Sequence, residues 1–177
     1  MLTPKFWYPE KNEKSISSTA LIPLGYIYAL LSKFRMLKSV QKHFDIPIVC
    51  IGNLNVGGTG KTPTTVSAAQ FLIEKGYDVH VVSRGYGGTA KGPILINDKE
   101  YSANEVGDEA LMLSAFAPTW VADKRPTGIK NAISEGAEII LLDDGFQDPS
   151  FYKDLSILTV NAKKGFGNKR CIPAGPL

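Results

Sequence analysis

"VCIGNLNVGGTGKTPTTVSAA", residues 49–69, runs from an apolar strand pattern through a glycine-rich turn into helical spacing. Asn55 to Thr62 match G-x-x-x-x-G-K-[ST] at every position but the first, where Asn55 replaces glycine. Such a turn works because backbone N–H groups converge on phosphate oxygens at the start of a helix. Here Gly57, Gly58 and Gly60 supply the backbone freedom, and Val56 and Thr59 complete the cradle. Lys61 is placed to reach the β- and γ-phosphates, and the Thr62 hydroxyl to ligate Mg²⁺. Asn55 is expected to substitute for glycine because asparagine enters positive φ more readily than other side chains. Residues 55–62 are therefore expected to hold a nucleotide.

Downstream, short apolar runs alternate with helical patterns. "IPIVCIG" (46–52) reads as a buried strand, Thr62 to Glu74 as a helix closed by Gly76, and "DVHVVSRG" (78–85) as a second strand. "PILIN" (93–97) suggests a short strand in a hairpin with "KEYSA" (99–103). Glu105 to Ala115 reads as a helix, "TWVAD" (119–123) as a strand and Thr127 to Glu135 as a helix. "AEIILLDD" (137–144) and "LSILTVNA" (155–162) are the last strands. This alternation predicts an α/β fold of the P-loop NTPase type, a mostly parallel sheet with helices on both faces.

A strand ending in acid places carboxylates at the carboxyl edge of such a sheet, where Mg²⁺ would sit, so Asp143 and Asp144 are metal candidates. "SRGYGG" (83–88) opens at the same edge, with Arg84, Gly85 and Tyr86 as substrate-contact candidates. Asp108 and Glu109 stand at a helix start, where acids serve either in proton transfer or simply as helix-terminal charges. Arg125 is a candidate for stabilising transition-state charge, with a solvated surface arginine as the alternative.

Residues 1–45 differ from the domain expected over 46–177. From Pro23, residues Ile27, Leu30, Leu31, Phe34 and Leu37 recur at helical intervals, with Ser18 or Thr19 as capping candidates. Arg35, Lys38 and Lys42 are expected on another face. An amphipathic helix of this kind suits either a membrane interface or packing on its own domain. "ALIPLGYIYALL" (20–31) is shorter than the roughly 20 residues needed to span a bilayer, and the aromatic, charged start does not have the form of a signal peptide. A net charge of +3 is too mild to argue for nucleic acid, so no nucleic-acid partner is expected. Two widely separated cysteines point to a reducing compartment rather than a disulfide scaffold.

In order, "FWY", "IGNLNVGGTGKTP", "VVSRGYGG", "VGDEALML", "LLDDGFQ", "DLSILTV" and "GFGNKRCIPAGPL" resemble the tetraacyldisaccharide 4′-kinase (lipid A 4′-kinase) family along nearly the whole chain. The resemblance implies a kinase that moves the γ-phosphate of ATP, with Mg²⁺, onto the 4′-hydroxyl of an acylated glucosamine disaccharide 1-phosphate. It implies Lys61 and Thr62 as phosphate and metal contacts, Asp143 and Asp144 as the strand-end acids, and Asp108 as general base with Glu109 beside it. Arg125 matches an active-site arginine. Members commonly carry a non-glycine residue where Asn55 stands, and usually a histidine where this chain has Asp148. The N-terminal helix becomes an interfacial anchor at the cytoplasmic face of the bacterial inner membrane. Members continue past "PAGPL" into a second α/β domain, so this chain is expected to correspond to the N-terminal domain, with activity in question without the rest. Two other readings remain open: a non-catalytic nucleotide-binding module at a membrane, and a P-loop kinase of a soluble metabolite.

Overall fold

The structure is a computed structural model and describes residues 4–9 and 15–177. Residues 1–3 and 10–14 of the expected N-terminal segment lie outside the described residues. The chain divides into two compact units. One comprises the described residues up to Ser39, with Asn53–Gly60 and Val160–Leu177; the other comprises Val40–Gly52 and Lys61–Thr159.

In the first unit a 3₁₀ turn, Lys5–Trp7, precedes helices α1 (Ile16–Ala20) and α2 (Ile22–Leu37). Ser18 and Thr19, the capping candidates, do not cap α2, whose N-cap is Leu21 with no side-chain bond; Ser15 caps the preceding α1, accepting a bond from the Ser18 amide. Ser18 lies inside α1 instead, its hydroxyl donating to the Ala174 carbonyl at 2.6 Å. Pro23 occupies the first turn of α2 as expected, since its missing N–H costs nothing there. Asn168 ties the segments of this unit together, its amide donating to the Phe6 carbonyl, the Ser18 hydroxyl and the Ala174 carbonyl. Only Gly25 of α2 is buried, and a Cβ there would press on the Cys171 carbonyl. The expected separation of apolar and charged faces is not clean. Tyr26, Tyr28 and Met36 are exposed along with Ile27, Leu30, Leu31 and Phe34, Lys38 is the C-cap, and Lys42 falls beyond the helix. No helix among the described residues is long and apolar enough to cross a membrane.

The second unit is the sheet with its covering helices. In chain order it contains β1 (Ile48–Gly52), α3 (Lys61–Glu74), β2 (Val79–Ser83), β3 (Ile94–Leu95), α4 (Ala103–Val106) and α5 (Asp108–Ser114). Then follow β4 (Thr119–Val121), α6 (Arg125–Ser134), β5 (Ile139–Asp143) and β6 (Leu155–Leu158). The strand order is β3-β4-β2-β5-β1-β6, parallel throughout except for β3. Both faces of β5 are buried, which explains its unbroken apolar run. Its side chains alternate: Ile140 and Leu142 pack with Ile129 and Ala132 of α6, while Ile139 and Leu141 pack with Ala69 of α3 and Leu113 of α5. Helices thus cover both faces, as the alternation of patterns predicts.

Three local expectations change. β3 pairs antiparallel with β4, Ile94 opposite Val121, rather than forming a hairpin with 99–103. The end of that stretch is a helix start: Ser102 and Glu105 form a capping box, each satisfying the other's backbone N–H. The helix expected over 105–115 breaks into α4 and α5 at Gly107, whose φ of +89° no helix accommodates. The last strand stops at Leu158, not 162. Beyond it, the Asn161 side chain accepts the amides of Lys163 and Lys164 and turns the chain away from extended geometry.

Candidate functional site

The glycine-rich loop, residues 53–60, joins the end of β1 to the start of α3 and is braced from within. Asn53 is buried, and its amide donates to the Asn55 carbonyl at 2.8 Å and the Gly57 carbonyl at 3.1 Å. Gly57 and Gly60 take positive φ, +123° and +87°, and a Cβ at Gly57, Gly58 or Gly60 would meet nothing within 4 Å. Gly57 and Gly60 are therefore required by backbone conformation, and the space above all three glycines is open. Asn55 does not do what the sequence suggested. Among the described residues the non-glycine positive-φ positions are Asp144 and Lys169 only. Asn55 instead buries its side chain and donates its amide to the Gly165 carbonyl at 2.6 Å, while the Val56 amide bonds the Pro176 carbonyl. Glycine could not make the first of these bonds. Residues 55–59 line a small recess with Tyr8, Asn161 and Lys164, the Lys164 ammonium lying 5.4 Å over the Tyr8 ring.

Within the second unit, Lys61 and Thr62 open α3, where the helix dipole favours negative charge. The Lys61 ammonium lies 2.9 Å from the Asp144 carboxylate. Asp143 ends β5 and is only 2% exposed. Burial pushes its carboxyl up, Glu109 and Asp144 push it further, and Lys61 and Arg125 offset part of this, leaving it at about 6. The two acids do not simply alternate along a strand: β5 ends at Asp143, and Asp144, at φ +54°, turns its exposed side chain to Lys61. Thr65, missed in the sequence, is fully buried one helical turn beyond Lys61; it bonds the Lys61 carbonyl and reaches Asp143 Oδ1 at 3.5 Å. A threonine one helical turn after the motif lysine was the available signal.

Arg125 is not a solvated surface arginine. It begins α6 at 5% exposure and donates through Nη2 to the carbonyls of Asp144 (2.8 Å) and Asp143 (3.3 Å). Its Nη1 faces Asp148 Oδ2 at 3.5 Å. The structure thus gathers Lys61, Asp143, Asp144, Arg125 and Glu109 around the end of β5 and the start of α3.

The turn after β2 is fitted against the break between α4 and α5. A Cβ on Gly85 would strike Val121 and the Val106 carbonyl, one on Gly88 the Glu105 carbonyl, and one on Gly107 the Tyr86 carbonyl. Glycines in "SRGYGG" and "VGDE" let these two backbones touch. Arg84 and Tyr86 are exposed, Tyr86 to 91%. They stand beside the residues leading into α5, whose first two, Asp108 and Glu109, are also exposed.

A largely parallel sheet, a glycine-rich loop leading from its strand β1 into a helix that begins Lys-Thr, and an acid at the end of the neighbouring strand β5 define a P-loop NTPase-like α/β protein. The sequence profile of LpxK, the tetraacyldisaccharide-1-P 4′-kinases, matches residues 17–177, and the chain belongs to this family. The tetraacyldisaccharide 4′-kinases of Jannaschia sp. (strain CCS1) and Dinoroseobacter shibae are 50% and 48% identical over all of this chain. They are matched over 53% and 52% of their own lengths, so the chain spans about half the length of the curated relatives it matches. The crystal structure of LpxK from Aquifex aeolicus in complex with ATP is similar with a TM-score of 0.79 and 31% identity, over 92% of this chain and 54% of that one.

Proposed function

We propose that this chain is the nucleotide-binding half of a kinase that transfers the γ-phosphoryl group of ATP to the 4′-hydroxyl of an acylated glucosamine disaccharide 1-phosphate. The observation that carries the reading is the cluster at the sheet edge, where Lys61 at a helix N-terminus meets Asp144 beside the buried Asp143. The residues fit a magnesium–nucleotide complex. The loop is open above its glycines, and Asp143, raised to about 6 by burial and two neighbouring acids, marks an excess of negative charge that a divalent cation would relieve. Bound there by Thr62, Asp143 and Asp144, Mg²⁺ would neutralise charge on the transferring phosphate.

The remaining work falls to the chain's own groups. Lys61 and the amides at the start of α3 stabilise the phosphoryl oxygens, while Asp144 holds the Lys61 ammonium in place. Asp108 takes the proton of the sugar hydroxyl as the new P–O bond forms and the bond to the β-phosphate breaks, releasing ADP. Arg84 and Tyr86, exposed beside the helix break at Gly107, serve as sugar or phosphate contacts. The exposed apolar residues of α2, with Lys33 and Arg35, favour seating at the lipid surface of the cytoplasmic face of the inner membrane, where such a substrate resides.

The test is transfer of radiolabelled γ-phosphate to the acylated disaccharide 1-phosphate, by this chain and by a protein extended to the length of its relatives. The extended protein should transfer phosphate, and Lys61→Ala or Asp108→Ala should each lower turnover by about a hundredfold or more. ATP binding without transfer by the extended protein refutes the substrate assignment.

A further inference from the structure

Arg125 carries a positive charge into a buried place, and carbonyl oxygens alone do not neutralise it. Of the neighbouring carboxylates, Asp144 is taken up by Lys61 at 2.9 Å, and Asp143 accepts from Thr65 through Oδ1. The carboxylate that faces the guanidinium is that of Asp148, and its two oxygens are divided between tasks. Oδ1 accepts from the Ser150 hydroxyl at 2.6 Å and the Ser150 amide at 3.1 Å; Oδ2 faces Arg125 Nη1 at 3.5 Å. Its backbone is fixed as well, the amide bonding the Gly145 carbonyl and the carbonyl accepting the Lys153 ammonium. Asp148 is thus held rigidly from its own turn and aimed at one guanidinium nitrogen.

The other end of that guanidinium grips the carbonyls of Asp143 and Asp144. This is the point where the backbone takes the left-handed conformation, φ +54° at Asp144, uncommon for a residue with a side chain. The Asp144 amide is bonded to the Ile51 carbonyl on the opposite side, so the turn is held between β1 and Arg125. We propose that Asp148 is a positioning residue: by pinning Arg125 on the two carbonyls of the Asp143–Asp144 turn, it sets the carboxylate that meets Lys61. Its consequence for nucleotide rests on the kinase reading above, but its geometry does not.

Burial alone would raise the Asp148 carboxyl, yet the two Ser150 bonds, with Arg125 and Lys153, hold it below its ordinary value, so it stands ionised at neutral pH. Removing that charge leaves Arg125 to seek another carboxylate, and Asp143 and Asp144 are the ones beside it. Either move disturbs the metal-facing acids while leaving the phosphate loop's glycines untouched.

Two readouts test this on the chain as it stands. Amide hydrogen exchange is measured for the native chain, Asp148→Asn and Asp148→Glu. Exchange at Asp144 should quicken about tenfold in Asp148→Asn, with Leu141 and Leu142 of the same strand unchanged, and Asp148→Glu should restore most of the protection. Calorimetric titration with ATP, with and without Mg²⁺, gives the second readout. Asp148→Asn should weaken Mg-ATP binding about tenfold and metal-free ATP binding less than about twofold. Unchanged exchange at Asp144 in Asp148→Asn overturns the proposal. Equal loss of Mg-ATP and metal-free ATP overturns the positioning of the metal-facing acids. Failure of the native chain to bind either form, with the exchange change intact, supports the positioning role and counts against the kinase reading instead.

Discussion

Asp143 gives the sharpest test of the site's electrostatics. Its carboxyl is 2% exposed and is displaced from 3.8 to about 6, first by burial and then by Glu109 and Asp144. A displacement of about two units corresponds to about 3 kcal/mol between the protonated and ionised forms. The direction is unusual for an acid. The folded chain binds the proton more tightly than the unfolded chain, so this group's stabilising contribution is fully present below pH 3.8 and is lost as pH rises through 6. Asp143→Asn keeps the shape and an oxygen for the Thr65 hydroxyl but cannot ionise. In metal-free buffer the variant should match the native chain near pH 3.5 and exceed its stability by about 3 kcal/mol at pH 7.5. Urea unfolding followed by the fluorescence of Trp120, buried in β4, measures the difference at each pH. A difference that stays constant between pH 3.5 and 8, or that favours the native chain at high pH, would refute the assignment of Asp143 as a buried, destabilising charge. Repeating the series with Mg-ATP should reverse the order above pH 6, since only the native carboxylate gains from a cation.

Asn55→Gly restores the consensus residue yet should lower stability by about 1 kcal/mol, through loss of the bond from Asn55 to the Gly165 carbonyl; equal unfolding midpoints would show that this bond contributes nothing. Gly85→Ala and Gly87→Ala separate conformation from crowding. Both sites have positive φ, but a Cβ on Gly85 strikes Val121 and the Val106 carbonyl while one on Gly87 meets nothing within 4 Å. Gly87→Ala should therefore cost about 1 kcal/mol and Gly85→Ala clearly more, about 2–4 kcal/mol, by the same denaturation assay; equal costs would count against the close fit between "SRGYGG" and the α4–α5 break.

What could be read in the sequence was what depends on local pattern. The apolar runs of β1, β2 and β5 are strands because both faces of a parallel sheet are covered, and that composition is visible without coordinates. Lys61, Thr62 and the positive-φ glycines follow from a motif in which spacing and conformation are inseparable. What was misread depends on partners far along the chain. β3 has a two-residue pattern that any nearby strand could match, and β4 takes it only because Ile94 and Leu95 come into register with Trp120 and Val121. Arg125 follows a strand directly after Asp123 and Lys124, and nothing local shows that two carbonyls and Asp148 await it, rather than them, in the interior.

Asn55 shows why a departure from a motif need not weaken it. The first motif position is commonly glycine for its conformational freedom, a freedom asparagine imitates better than other side chains. The structure answers with a different force. Asn55 stays out of the left-handed region and uses its amide to fasten the loop to Gly165, with Val56 bonded to Pro176 beside it and Asn53 bracing the turn from below. A glycine loop gains its shape by permission; this one gains it by attachment to residues more than a hundred positions later. The segment "GFGNKRCIPAGPL" thereby becomes part of the phosphate loop's support, and changes there should be felt at the loop's amides before they are felt in the sheet. Recognition of phosphate by backbone N–H groups needs those amides fixed in direction, and long-range side-chain bonds fix them as well as local conformation does.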